Sequence, residues 1–424
     1  MKEDFKKIAV DLFLFVMVIL LSPVSKIEAQ QIGPSVYSEQ FRKYLTMSEA
    51  DAKNNALTEY INALDVFDPN LYNKNKNVFN QILEKGWSGN EPIVMQAFSQ
   101  SSRSISLVLA GNKKPMIKYP PWSKVAKDPL HCPILGDGIR CEGLYKTILL
   151  QALWAQSQKN PDMAISIYKD VLIFANRLTG ENTPDIPKLI SLAMQTLTFN
   201  QIQKFLERIV LTEKQYNELG TFLFNYKVNE YPMWKYSESE YEAFHWVIQN
   251  PEEGLKAFGF PPADLKQASD LFRQNQADYL RQYAEFQKSF IEILKLSYPQ
   301  FRKVDLATFC NRLPKPLRMF VPNFLEFITR ENVAVAKSRL AVFDVALRKY
   351  KMQKGSYPPT LDVLGITGDV AKDPFTEQSF LYNVSGGKPI LYSAGPNMIN
   401  DGGIKEYDSK AGTVSAGDIV IRFK

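Results

Sequence analysis

The side chains that most often ligate transition metals or act as nucleophiles are scarce: 424 residues hold two histidines, His131 and His245, and three cysteines, Cys132, Cys141 and Cys310. A metal centre or catalytic triad would have to be built around one of two imidazoles. His131 abuts Cys132, but sequence neighbours rarely turn their side chains toward each other, so this is no nucleophile and base. The chain also lacks a glycine-rich phosphate loop, a His-Glu-x-x-His and a Gly-x-Ser-x-Gly. Enzymatic activity is therefore not expected. Basic residues never run five in a row and the surplus of six positive charges is spread over many lysines, so nucleic acid is not an expected partner. Contact with anionic lipid or a wall polymer is compatible with that charge. The 45% apolar and 23% charged content is that of an ordinary globular chain.

Long apolar runs are absent except at the start. Lys6-Lys7 precede a stretch from Ile8 to Val24, interrupted by Asp11 and continuous from Leu12 to Leu21, and Ile27-Glu28-Ala29 then reads as a signal-peptidase site before Gln30. A bilayer span takes about 20 apolar residues, so this run suits an export signal or a short membrane anchor. Residues 1–29 are set apart from the fold on that basis. The remainder is expected to be periplasmic, or held at the inner membrane if the segment is retained.

Residues 30–320 carry helical periodicity almost throughout, and the chain is expected to be mostly α. Lys146–Gln158 and Met163–Leu178 form two apolar-striped helices joined by Lys159-Asn160-Pro161-Asp162. Ala155, Ala164 and Tyr168 sit where a tetratricopeptide-like helix pair places its small and aromatic contacts, although no full 34-residue period recurs. Pro187–Ile209 continues the pattern, Thr212 with Gln215 makes a capping box, and Asp264–Ser297 reads as one longer helix. The sector is expected to be a helical array.

Two features in it could carry chemistry. Cys132 and Cys141 lie in a loop-like stretch with Pro129, Pro133, Gly136 and Gly138, and after export they could pair as a disulfide or stay as thiols. Phe222–Trp246 holds nine aromatics, including Tyr231, Trp234, Tyr236, Tyr241 and Trp246, interleaved with Glu238, Glu240 and Glu242. Exposed rings of this kind can stack on sugars or cap a peptide groove; rings packed between helices are the plainer reading. Glu238 and Glu242 fall on one helical face, on the same wall, whereas a hydrolase needs its carboxyls across a cleft.

The tail is organised differently. Phe324 to about Lys354 reads as a helix striped by Ala336, Leu340, Phe343, Leu347 and Tyr350, stopped by Gly355 and by Pro358-Pro359. Tyr357-Pro358-Pro359-Thr360-Leu361 and Asp373-Pro374-Phe375 follow as turns. Phe380–Val384 and Pro389–Ser393 flank Ser385-Gly386-Gly387 and should pair as a hairpin. A loop from Gly395 to Gly403 and a last strand, Asp418–Phe423, close the chain.

That ordered set resembles the C-terminal globular domain of the type II secretion major pseudopilins, over residues 321–424. Together with the helical sector it also resembles large bacterial envelope proteins that end in the same motifs. The resemblance implies a small α+β module, a long helix plus an antiparallel sheet. It also implies a calcium loop, onto which Asn397, Asn400, Asp401 and Asp418 would map; calcium wants six to eight oxygen ligands. A hydrogen-bonded turn is the alternative reading of the same four residues. A pseudopilin's helix continues upstream into a long apolar segment, but here Leu313-Pro314-Lys315-Pro316-Leu317-Arg318 reads as a proline-broken polar linker. The expectation is thus an exported envelope scaffold or interaction protein with protein partners, associated with a secretion or pilus-like system. The alternative is a polysaccharide- or peptide-binding module, with weak hydrolysis at most, using Tyr231, Trp234, Tyr236 and Trp246.

Overall fold

A single helix of 31 residues, Phe324–Lys354, runs between two hydrophobic cores and contributes side chains to both. The computed structural model describes residues 53–423, except 88–90, 116, 120–137, 181–182, 184, 229, 258–259, 322, 386–387, 409–414 and 416. The N-terminal apolar run, His131 and Cys132 lie outside the described residues. Among those residues the chain is mostly helical, with a small three-stranded antiparallel sheet near its C-terminus. No helix of the described residues is long and apolar enough to cross a membrane.

The first core is built from seven helices: α1 (Ala56–Val66), α2 (Asn70–Lys85), α3 (Glu91–Asn112), α4 (Gly138–Ser157), α5 (Pro161–Asn176), α6 (Asp185–Arg208) and α7 (Glu213–Asn225). Their order follows from local signals. Asn55 caps α1 by accepting from the Leu57 amide, and Asn160 caps α5 by accepting from Met163, with Pro161 at the first turn. Thr212 and Gln215 form the expected capping box of α7. Helices α4 and α5 pair closely: Ala155, Ala164 and Tyr168 are fully buried, and Gln156 Nε2 donates to Tyr168 Oη at 2.7 Å. Gly111 of α3 lies against the ring of Tyr60, so close that a Cβ there would fall on the ring atoms. Glycine is what lets α1 and α3 meet.

The second core gathers α8 (Met233–Gln249), α9 (Pro251–Ala257), α10 (Pro262–Gln274), α11 (Gln276–Leu294) and two short turns of helix, α12 (Tyr298–Phe301) and α13 (Leu306–Cys310). Sequence periodicity predicts one helix over Asp264–Ser297, and the structure corrects this. Asn275 leaves helical geometry at φ −114°, ψ 15°, and its side chain donates to the Leu271 carbonyl. The Asn side chain supplies a local bond that competes with the helical ladder, and the chain re-aims there. The supposed polar linker also differs from expectation: Leu313, Leu317 and Phe320 are buried, and Phe320 stacks on Phe244 at 4.8 Å. The prolines break the helix, but the leucines and the phenylalanine between them still pack.

The long helix, α14 (Phe324–Lys354), reaches both cores because it carries two stripes. Ala334, Val335, Ala341, Val342 and Val345 enter the first core, packed on α6 and α7. Val333, Ala336, Leu340, Phe343 and Leu347 enter the second. Burying a Val, Leu or Phe side chain is worth about 1.5–3 kcal/mol, so the doubled stripe outweighs any single surface contact by far. Gly355 ends α14 in the left-handed region at φ 78°.

The sheet lies on the second stripe of α14. Strand β1 (Leu381–Ser385) pairs with β2 (Lys388–Ser393) in a two-residue hairpin register, Ser385 opposite Lys388, and β2 pairs with β3 (Ile419–Arg422). Leu391, Ile419, Ile421 and Phe423 face the helices, and Phe343 meets Phe380 edge-on at 5.8 Å. Asp373 of the Asp-Pro-Phe turn is 2% exposed and ties the turn to β2. Its carboxylate accepts from Phe375 N at 3.0 Å, Ser393 Oγ at 2.8 Å and Ala394 N at 3.0 Å. Tyr382 Oη donates to Pro358 O at 3.0 Å, so the Tyr-Pro-Pro turn is fixed to β1.

Candidate functional site

Between the two cores, three polar contacts interrupt the apolar seam along α14. At its start Lys188 of α6, fully buried, meets Glu331 Oε1 at 3.0 Å. The approach lies off the hydrogen-bonding direction of that oxygen, so the contact is an ion pair rather than a directed bond. The same ammonium donates to Tyr231 O at 3.1 Å and stands 5.1 Å from the Tyr236 ring centre. Nearly two turns on, Lys337 Nζ donates to Asn200 Oδ1 at 2.6 Å, and burial pulls this ammonium down to a pKa of about 8 against the opposing pull of Glu406. Farther along, Arg348 Nε donates to Asp344 Oδ1 at 2.6 Å, and the guanidinium lies 5.0 Å from the Phe423 ring. Burial lifts Asp344 to about 6 although Arg348 opposes it. Asp344 Oδ2 and Arg348 Nη2 find no hydrogen-bond partner among the described residues.

The aromatic stretch supplies part of this seam. Tyr236 is buried at 1%, whereas Tyr231, Trp234, Tyr241 and Trp246 are half-buried and pack against the second core. Tyr241 stacks on Tyr283 at 5.7 Å. The Trp234 ring has the ammonium of Lys295 at 5.1 Å and that of Lys235 at 5.6 Å. Glu238 and Glu242 are exposed on α8, on the same helix rather than across a cleft.

The glycine-rich loop brings Asn397, Asn400, Asp401 and Asp418 together. Asp418 is fully buried; its two oxygens accept from Gly403 N at 2.7 Å and Asp401 N at 3.4 Å. Asn400 Oδ1 accepts from Gly402 N at 2.9 Å and Tyr392 Oη at 3.2 Å, and Asn397 Nδ2 donates to Asp401 Oδ2 at 3.2 Å. Donors from the chain itself thus meet several of these oxygens, which is the hydrogen-bonded-turn arrangement of the four residues. Among the described residues no three His, Cys, Asp or Glu side chains cluster as metal ligands. Cys141 is fully buried on α4, and its proposed partner Cys132 lies outside the described residues.

Sequence reasoning missed the seam. Asp344 and Arg348 carry a legible signal, an acid and a base four apart on one helix. Lys188 and Glu331 do not, because only the packing of α6 on α14 brings them together. No family model, curated protein or solved structure matches the chain.

Proposed function

We propose that this protein is an exported scaffold of the bacterial cell envelope, in which tetratricopeptide-like helix pairs offer a partner platform and a pseudopilin-like tail serves as the docking module. The observation that carries the reading is the burial of α14 along both stripes. A pseudopilin-like helix committed in this way to its own chain has no free apolar stripe for a fibre core, while the tail's loops remain outside. Ile399 and Ile404, 59% and 85% exposed, stand on the Asn397–Glu406 loop and present apolar surface to solvent. The secretory reading of residues 1–29 supports the location.

Deleting the tail is a poor test, since it removes α14 from both cores. The better one compares wild type with Ile399→Glu/Ile404→Glu in purification from native envelopes. Loss of a secretion or pilus-assembly component in the variant, with unchanged thermal stability, supports docking through the loop. An unchanged partner set removes the loop from the account.

A further inference from the structure

An apolar cleft of about 230 Å³ opens between α11, α13 and the start of α14. Its walls are Phe290, Leu306, Ala307, Val321, Phe324 and Leu325, and its polar lining is Cys310 and Asn323. The volume is below the roughly 300–1,000 Å³ of pockets that enclose a whole drug-sized ligand, and suits one apolar segment of a larger molecule.

The chain segment that forms most of the cleft is one-sided in charge. From residue 302 to 325 the chain carries Arg302, Lys303, Arg312, Lys315 and Arg318, all exposed, against the single acid Asp305. The acid caps α13, its carboxylate accepting from Thr308 N at 3.0 Å and Thr308 Oγ1 at 2.6 Å. The stretch that supplies all of the lining except Phe290 thus carries five basic residues against one acid. Arg318 is held over the end of α13 by Asn311 O at 3.0 Å and Leu313 O at 2.8 Å, near enough to bear on the Cys310 thiol. Arg312 is positioned by the Phe309 ring, 5.2 Å from its guanidinium carbon.

We infer that this cleft takes an acyl chain of an anionic phospholipid, with the arginines and lysines of residues 302–318 holding the headgroup phosphate. An amphiphile with one apolar tail and one anionic head matches a small apolar cleft rimmed by cations. The inference concerns a surface separate from the Asn397–Glu406 loop and stands whether or not that loop docks a partner.

Cys310 provides the reporter, since an occupant of the cleft covers its thiol. The full chain is treated with N-ethylmaleimide, and modification of the Cys310 peptide is followed by mass spectrometry with dihexanoyl phosphatidylglycerol, dihexanoyl phosphatidylcholine or hexanoate present. Phosphatidylglycerol should slow labelling by about tenfold at about ten times its dissociation constant. Phosphatidylcholine should protect far less, and Arg312→Glu/Lys315→Glu should erase the difference between the two lipids. Ala307→Trp, which fills the cleft from an exposed position, should abolish lipid-dependent protection while the circular dichroism melt is retained. Equal protection by both lipids, protection by hexanoate as strong as by phosphatidylglycerol, protection only by an acidic leucine-rich peptide, or no protection would each overturn the assignment.

Discussion

Replacing Lys188 by methionine leaves the aliphatic volume in place and removes the buried ammonium. At 3.0 Å from Glu331, a pair of unit charges attracts by about 5 kcal/mol at the effective dielectric constant of 20 that suits protein sites. Desolvation of both groups offsets most of that, so the pair as such adds little net stability. The single variant is different, because Glu331, 6% exposed, keeps its burial and loses its counter-charge. Breaking a buried pair in this way costs about 3–5 kcal/mol. Loss of the bond to Tyr231 O and of the contact with the Tyr236 ring acts in the same direction. In urea unfolding at neutral pH, Lys188→Met should therefore lose about 3–5 kcal/mol, and Lys188→Met/Glu331→Leu should recover most of it. A single variant within about 1 kcal/mol of wild type, or a double variant no better than the single, would refute the buried-pair argument.

Asp344 makes a pH-dependent prediction. Its folded pKa of about 6 lies above the ordinary 3.8, so the folded state holds the proton more tightly. The resulting stability is present below pH 4 and is lost as pH rises through 6. Measured against Asp344→Asn, wild type should gain about 2–3 kcal/mol between pH 7 and pH 4; a constant difference across that range would contradict it. Asp373→Ala should lose about 3 kcal/mol or more in the same unfolding assay, because it strands the Phe375 and Ala394 amides and the Ser393 hydroxyl. Millimolar calcium should leave the melting temperature unchanged, given the internally bonded loop; a calcium-dependent rise abolished by Asp401→Ala would show that the loop rearranges around the ion.

Much of the tail was legible because its signals are local. Gly355 stops α14, Ser385 and Lys388 frame the hairpin, and the Asp-Pro-Phe turn is anchored by its own aspartate. The capping box at Thr212 was visible for the same reason. What escaped reading depends on contacts distant in sequence. The stripe Ala336, Leu340, Phe343 and Leu347 was clear, but the second stripe, Ala334, Ala341 and Val345, gained meaning only when α6 and α7 covered it. Leu317 and Phe320 were hidden among prolines, which mark a broken helix and say nothing about burial. The break at Asn275 was hidden inside an uninterrupted apolar stripe. Of the candidate sites, the loop residues 397–401 and Asp418 were found together, whereas the cationic cleft was diluted in a whole-chain charge of six.

The envelope-docking reading stands or falls with what touches the tail's loop in the cell. A photoreactive residue at position 404, which is 85% exposed on that loop, should on irradiation of intact cells yield a cross-link to an envelope component of a secretion or pilus-assembly system, lost when Ile399→Glu is added. Adducts only with cytosolic proteins, or none beyond those formed from a control position at Val363, would contradict it.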